Sequence, residues 1–304
     1  MRSSESDAAA RHEPVLVAEV LELLAVRPGG LYVDGTLGPG GHARRILTRS
    51  APGGRLLGVD RDADALKLAR EQLAEFGDRA ELLQGDYRQL PELLMRRDAR
   101  PDGILLDLGI GSHQLDSAER GFSFREDGPL DMRIDRSAGE PAAALVNRLS
   151  AVELADVIYR FGEERASRRI ARAIVEERRR QPIRTTAELA RVVRRAAPRG
   201  RPGHDAATRT FQALRIRVNG ELEGLEQTVA ALAEALAPGG RLAVIAFHSL
   251  EDRPVKHALR RLARDGYRLL TRKAIQASPE ERSRNRRSRS ARLRGLERPL
   301  EEAA

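Results

Sequence analysis

Asp60 and Asp107 each close a short apolar run, in Gly58-Val59-Asp60 and Leu105-Leu106-Asp107. An acid at the carboxyl end of a buried parallel strand points into the crevice where α/β proteins bind ligands. A third run, Leu31-Tyr32-Val33-Asp34, continues into Gly35-Thr36-Leu37-Gly38-Pro39-Gly40-Gly41-His42, with four glycines in seven residues. Glycine tolerates positive φ and lets a ligand approach the backbone. The helix that follows opens with unpaired N–H groups and a partial positive charge. Such a turn suits a small, polar, nucleotide-like molecule. Asp60, about 20 residues downstream, is placed to accept hydrogen bonds from ribose hydroxyls. The glycine pattern and Asp60 fit NAD and S-adenosylmethionine equally well. Asp62 is the more natural cap for the next helix.

Other residues join this set. Gln84-Gly85-Asp86-Tyr87 follows the third apolar run, where a side chain lies beside an adenine, and Tyr87 is the candidate to cover it. Gln114 and Asp116 follow Asp107 closely. Phe122 and Phe124 lie in a polar, glycine-rich loop of a chain that is only 3% aromatic, and so are candidates for stacking on a base. The bland alternative is that they pin the loop to the core. A late apolar run ends in Phe247-His248-Ser249-Leu250-Glu251-Asp252, which makes His248 a candidate proton acceptor. His12, His42 and His248 lack metal-ligand spacing, and no metal is expected.

The elements that must position these residues are legible as patterns. Strands are predicted at Leu31–Val33, Leu56–Val59, Ala80–Leu83 and Ile104–Leu106, with helices at 41–48, 63–76 and 90–96 between them. Alternation of this kind implies right-handed βαβ units and a parallel sheet. From Asp116 to Asn219 there are only helical patterns, at 152–159, 164–179 and 186–196. A helix at 222–236 then leads to another strand, Leu242–Phe247. The sheet thus resumes after a helical insertion. The expected organisation is a tail, 1–11; a first sheet segment, 12–115; an inserted helical domain, 116–219; a second sheet segment, 220–275; and an arginine-rich C-terminal segment, 276–304.

At 304 residues and 41% hydrophobic content the chain can bury a substantial core. The absence of cysteine excludes disulfides and thiolate metal sites. No apolar run reaches the length of about 18 residues that a membrane span needs, and the first residues lack the apolar stretch of a signal peptide. A cytoplasmic protein is expected. The net charge of +9 points to a polyanionic partner. All basic side chains except Lys67, Lys256 and Lys273 are arginine, so part of that charge reflects compositional bias. Crowding of Arg282, Arg284, Arg286, Arg287, Arg289, Arg292 and Arg294 is more specific, and has two readings: a solvated, disordered tail, or a strip that neutralises phosphates.

Taken together, Asp34-Gly35-Thr36, Gly40-Gly41-His42, Asp107-Leu108-Gly109, Gln114-Leu115-Asp116, Arg120-Gly121-Phe122-Ser123-Phe124, Pro129-Leu130-Asp131-Met132-Arg133, Phe211-Gln212-Ala213-Leu214-Arg215-Ile216, Asn219 and Phe247-His248-Ser249-Leu250-Glu251-Asp252 resemble one family. It is the bacterial 16S ribosomal RNA methyltransferases that act on the exocyclic N4 of a cytidine. The likeness runs from about His12 to Arg294. It implies an α/β, Rossmann-like class I methyltransferase with a parallel-dominated sheet and an inserted all-helical subdomain. It implies S-adenosylmethionine held by Gly40, Gly41, His42, Asp60, Tyr87, Asp107 and Gln114, with Asp34 and Thr36 shaping the turn. It also implies a decoding-centre cytidine near the P site of the small ribosomal subunit as substrate. Gly111-Ser112-His113 departs from the serine pair and proline common in the family.

For methylation at N4, the chemistry asks for an aligned donor and a proton acceptor. The Asp/Asn/Ser-Pro-Pro-aromatic loop of many amino-methylating enzymes is missing, which leaves Asp107, Asp116 and His248 as candidates to contact N4. Phe122, Phe124 and Phe247 are candidates to stack on an exposed base. Arg286, Arg287 and Arg289 are candidates to hold the RNA backbone. Two competing readings are an NAD-dependent oxidoreductase and a non-catalytic ribosome-assembly factor. The oligomeric state, a homodimer included, is not derivable.

Overall fold

The computed structural model describes residues 14–197 and 205–300; the expected tail, 1–11, and His12 lie outside the described residues. The chain forms two compact units, one from the segments up to Gly109 and from Gly224 onward, the other from Ile110–Glu223.

The first unit is built on seven strands: β1 (Leu31–Asp34), β2 (Arg55–Asp60), β3 (Ala80–Gln84), β4 (Gly103–Asp107), β5 (Arg241–Ala246), β6 (Arg268–Leu269) and β7 (Arg292–Glu297). They lie in the order β3-β2-β1-β4-β5-β7-β6. Strands β1 to β5 pair in parallel, while β7 runs antiparallel to both β5 and β6. This is the expected Rossmann-like class. The parallel strands read as continuous apolar runs because helices cover both faces. Tyr32, Leu56, Leu105, Ile245 and Leu293 are in the core, with Ile46, Leu47 and Leu66 packed from helices Gly41–Arg49 and Ala63–Leu73. Burying each such side chain contributes about 1.5–3 kcal/mol. The strand order reverses at β1, whose neighbours are β2 and β4, so the ligand crevice lies at the carboxyl ends of those strands.

The C-terminal segment differs from expectation. It is not a separate arginine-rich appendage: residues 292–297 are a sheet strand of this unit. Leu293 and Leu296 are buried, and Arg294 is buried because it pairs with Asp252 on helix Ser249–Arg264. Among the described residues, no helix is long and apolar enough to cross a membrane.

The second unit contains helices Ser112–Leu115, Ala142–Arg148, Ala151–Gly162, Ser167–Arg180, Thr186–Ala196 and Thr208–Asn219. Its limits fall at 109/110 and 223/224 rather than at 115/116 and 219/220. Ile110 and Leu115 pack on this unit's own core, and Glu221 is locked to Arg215 by two hydrogen bonds of 2.9 and 2.8 Å. Ser150 with Glu153, and Thr185 with Glu188, form reciprocal capping boxes that fix two helix starts. The glycine-rich loop 120–134 is pinned from several sides. A Cβ on Gly121, which has φ +69°, would stand 2.2 Å from the Pro129 carbonyl oxygen, and one on Gly128 would stand 2.1 Å from that of Ala118. Asn219 accepts from Ile134 N–H through Oδ1 and donates through Nδ2 to the Met132 carbonyl, both at 2.8 Å. Much of the motif in this stretch therefore specifies loop shape.

Candidate active site

The chain enters the crevice at the end of β1. Gly35 has no room for a side chain: a Cβ there would stand 2.6 Å from Leu106 and 2.9 Å from Leu90. Asp34, 1% exposed, accepts from the Thr36 N–H at 3.2 Å. Thr36 Oγ1 in turn accepts from the Asp107 N–H at 2.5 Å, which ties the glycine turn to the end of β4. Both residues shape the turn, as anticipated, and Thr36 also fixes Asp107. That bond crosses 71 residues of sequence and has no local signal. Gly40 has φ +94° and precedes helix Gly41–Arg49, whose start no side chain caps.

Asp60 ends β2 and accepts from the Gly38 and Asp62 N–H groups at 2.7 and 2.8 Å. It therefore braces the loop with a carboxylate that has about four lone-pair sites. Asp62 caps helix Ala63–Leu73 by accepting from Asp64 N–H. Tyr87 is half-buried just after β3, on a short turn capped by Asp86. With Asp60 as the expected ribose acceptor and brace of the loop, Asp60→Ala is expected to weaken donor binding by about 1–3 kcal/mol. Titration calorimetry with S-adenosylhomocysteine checks this, and unchanged affinity removes Asp60 from the site.

Asp107 and His42 meet at the centre. His42 Nε2 lies 3.6 Å from Asp107 Oδ2, too far for a hydrogen bond. His42 Nε2 and Asp107 Oδ1 are buried atoms with no hydrogen-bond partner. Burial pushes the His42 imidazole down to about 4, so it is neutral at physiological pH. Burial pushes the Asp107 carboxyl up to about 7, with Glu251 raising it further and Arg287 pulling it down. Asp34 is pushed up to about 8, chiefly by burial, against the Thr36 N–H bond and with Asp107 and Asp60 adding to the rise. The crevice thus concentrates acidic groups that burial shifts toward their neutral forms.

The late strand supplies the next residues. His248 caps helix Ser249–Arg264, its Nδ1 accepting from the Glu251 N–H at 3.3 Å, while Nε2 lies 3.3 Å from Glu251 Oε1. Glu251 is buried and accepts from the Phe247 N–H at 2.8 Å. His248 thus already has structural duties on both nitrogens. Glu251 is a member of the site that sequence reasoning misses, although an acid at the third helical position is a capping signal. Phe247 is half-buried on this unit's core. Of the three arginines, Arg287 is half-buried and within electrostatic reach of Asp107, whereas Arg286 and Arg289 are exposed.

The remaining candidates belong to the helical unit. Gln114 is buried and closes its own helix start by accepting from the Gly111 N–H at 2.8 Å. Asp116 is exposed at the end of that helix. Phe122, 6% exposed, lies in the core under Arg120, and so offers no free ring face to a base. Phe124 packs edge-on against Phe211 at 4.7 Å, with the Arg194 guanidinium 5.4 Å from its ring centre. For these two rings the loop-pinning alternative describes what they contact.

Residues 9–299 match the model of the MraW methylase family. The chain belongs to this family. It is 49% identical to the ribosomal RNA small subunit methyltransferase H of Syntrophobacter fumaroxidans, over 96% of this chain and 98% of that one. It is 51% identical to the protein of the same name from Trichlorobacter lovleyi, over 94% and 97% of the two chains. The counterpart in Halorhodospira halophila is 54% identical over 87% and 82%. A methylase of this family needs a methyl donor, and the crevice fits S-adenosylmethionine on its own chemistry. The unbonded Asp107 and His42 atoms are buried polar groups suited to a polar ligand, and Asp60 stands at the strand end where a ribose acceptor is needed.

Proposed function

We propose that the protein transfers a methyl group from S-adenosylmethionine to the exocyclic N4 of a decoding-centre cytidine, near the P site, in the 16S RNA of the small ribosomal subunit. The reading places its work in the cytoplasm, where subunits are assembled. Near 50% identity along almost the whole length of chains named for small-subunit RNA methylation supports the substrate class. The observation that carries the chemistry is Asp107, with a buried, unbonded carboxyl oxygen held at the crevice by Thr36.

Cytosine N4 is a weak nucleophile, because its lone pair is delocalised into the ring. Bound donor supplies an electrophilic methyl group on a positively charged sulfur. The protein's tasks are to orient the base, exclude water and receive the amino proton. Asp107 is the proton acceptor in this account: with its pKa near 7 it is both substantially ionised and basic enough at neutral pH. His42 is neutral, so it does not quench the carboxylate by forming a salt bridge. Gly40, Gly41, His42, Asp60, Tyr87 and Gln114 are assigned to the donor. Phe247 remains the aromatic candidate to stack on the base, and Arg287 a candidate to meet backbone phosphate.

Nucleoside analysis of 16S RNA tests this reading in the cell. A strain lacking the gene should lose N4-methylated cytidine at one decoding-centre position, and the Asp107→Asn gene should not restore it. An unchanged nucleoside profile in the deletion strain contradicts the proposal.

A further inference from the structure

An open pocket of about 420 Å³ on the sheet-bearing unit shares no lining residue with the donor site. Its walls are Asp252, Lys273, Ala274, Gln276, Arg292 and Arg294, so three cations face one carboxylate. Arg294 is committed to that carboxylate, with Nε to Oδ1 at 2.6 Å and Nη2 to Oδ2 at 3.0 Å, both side chains buried. Against the pull of burial, Arg294 and then Arg292 hold the Asp252 carboxyl below its ordinary value, so it stays ionised. One negative charge is thereby used up. Arg292 reaches Asp252 only at 3.4 Å and keeps 42% of its side chain exposed. Lys273 is exposed and forms no ion pair among the described residues. The pocket therefore has uncompensated positive charge, and Gln276 adds an amide donor.

Its place on the sheet gives that charge a direction. In the β5–β7 ladder Arg292 lies opposite Ala246, one residue beyond Ile245, which itself pairs with Asp107. Arg292 thus sits at the same carboxyl edge of the sheet as Asp107. Arg287, on the turn that leads into β7, acts electrostatically on Asp107 itself. Positive charge is thus present at this edge in two places, at Arg287 near Asp107 and at the pocket that Arg292 and Lys273 line. A nucleic-acid strand that presents one base to a reaction centre carries phosphates on both sides of it, and cations spaced along its path neutralise them.

We propose that this pocket holds a backbone phosphodiester of the RNA substrate, flanking the nucleotide delivered to Asp107. The inference rests on the RNA-methyltransferase reading above. The ligand chemistry is a phosphate oxyanion, and RNA is the source.

The test compares wild type with the Lys273→Gln/Arg292→Gln double variant and with Lys273→Glu, a change at an exposed side chain that spares the fold. Affinity for a decoding-centre oligoribonucleotide is measured across a salt series, alongside S-adenosylhomocysteine affinity, melting temperature and methylation of small subunits. Expected are a roughly 5–20-fold loss of RNA affinity and a salt slope shallower by about 0.7, the change that follows when one phosphate is no longer neutralised. Cofactor affinity and melting temperature should stay at wild-type values. If both variants bind RNA with wild-type affinity and slope while wild type methylates subunits, the pocket assignment is wrong and the functional reading stands. If wild type methylates no form of the RNA, both fall together. An inorganic phosphate arm separates the sources. A phosphate-induced rise in wild-type melting temperature that the double variant lacks, with RNA binding unaltered, makes the pocket a free-anion site and overturns the proposal.

Discussion

Asp107→Asn is expected to lower kcat for methyl transfer by about 10²–10⁴-fold, the range attributed to a positioned proton acceptor. The substitution is nearly isosteric, so the strand end, its N–H bond to Thr36 and the crevice shape should persist. What it removes is the ability to take a proton. The pH dependence makes the prediction sharper. Burial raises the Asp107 carboxyl to about 7. The acceptor must be ionised, so the wild-type rate should climb about tenfold per pH unit below 7 and level off above it. In the Asn variant that limb should disappear. Rates at saturating donor and calorimetric affinity for S-adenosylhomocysteine, taken together, separate the two roles given to Asp107. Weaker binding with an unchanged kcat leaves it as a donor ligand and rules it out as the base.

Gly121→Ala should destabilise the protein by about 2–5 kcal/mol, combining the cost of left-handed backbone for an L-residue with that of overpacking. The added Cβ would stand 2.2 Å from the Pro129 carbonyl oxygen and 2.6 Å from the Asp131 nitrogen. These are backbone atoms, in a segment anchored by Asn219 and capped helices, so they cannot swing aside as a side chain would. A loss of this size is a large part of the roughly 5–15 kcal/mol that holds a typical protein together. Gly139→Ala is the control, because Gly139 also has positive φ, +72°, yet a Cβ there meets nothing within 4 Å. It should cost only the backbone strain, about 1–2 kcal/mol. Urea unfolding midpoints measure both. Equal effects would mean that the loop yields and the clash is not rigid.

These two residues mark where sequence is informative and where it is not. The strands ending in Asp34, Asp60 and Asp107 can be read because a parallel strand covered on both faces must be apolar and short. The start of helix Thr186–Ala196 can be read to within one residue, because two adjacent threonines followed by Glu188 announce it chemically, and the structure settles the cap on Thr185. Strand β7 is hidden by its charge. Arg292 and Arg294 look like a solvated basic run until Asp252, 40 and 42 residues earlier, is seen to accept both. Phe122 and Phe124 look free because their neighbours in sequence are polar, whereas their neighbours in space include Arg120, Phe211 and Arg194. His248 looks available because capping of a helix by imidazole leaves no mark in residue type. In each case the deciding partner is one that residue types alone do not reveal.

Transfer of labelled methyl from S-adenosylmethionine to purified small ribosomal subunits and to free 16S RNA, followed by mapping of the labelled nucleoside, is the most direct test of the proposed chemistry. The predicted result is label on N4 of a single decoding-centre cytidine with wild-type protein, and its near-complete loss with Asp107→Asn. Label on a ring carbon, label spread over many cytidines, or no label on either substrate would contradict it.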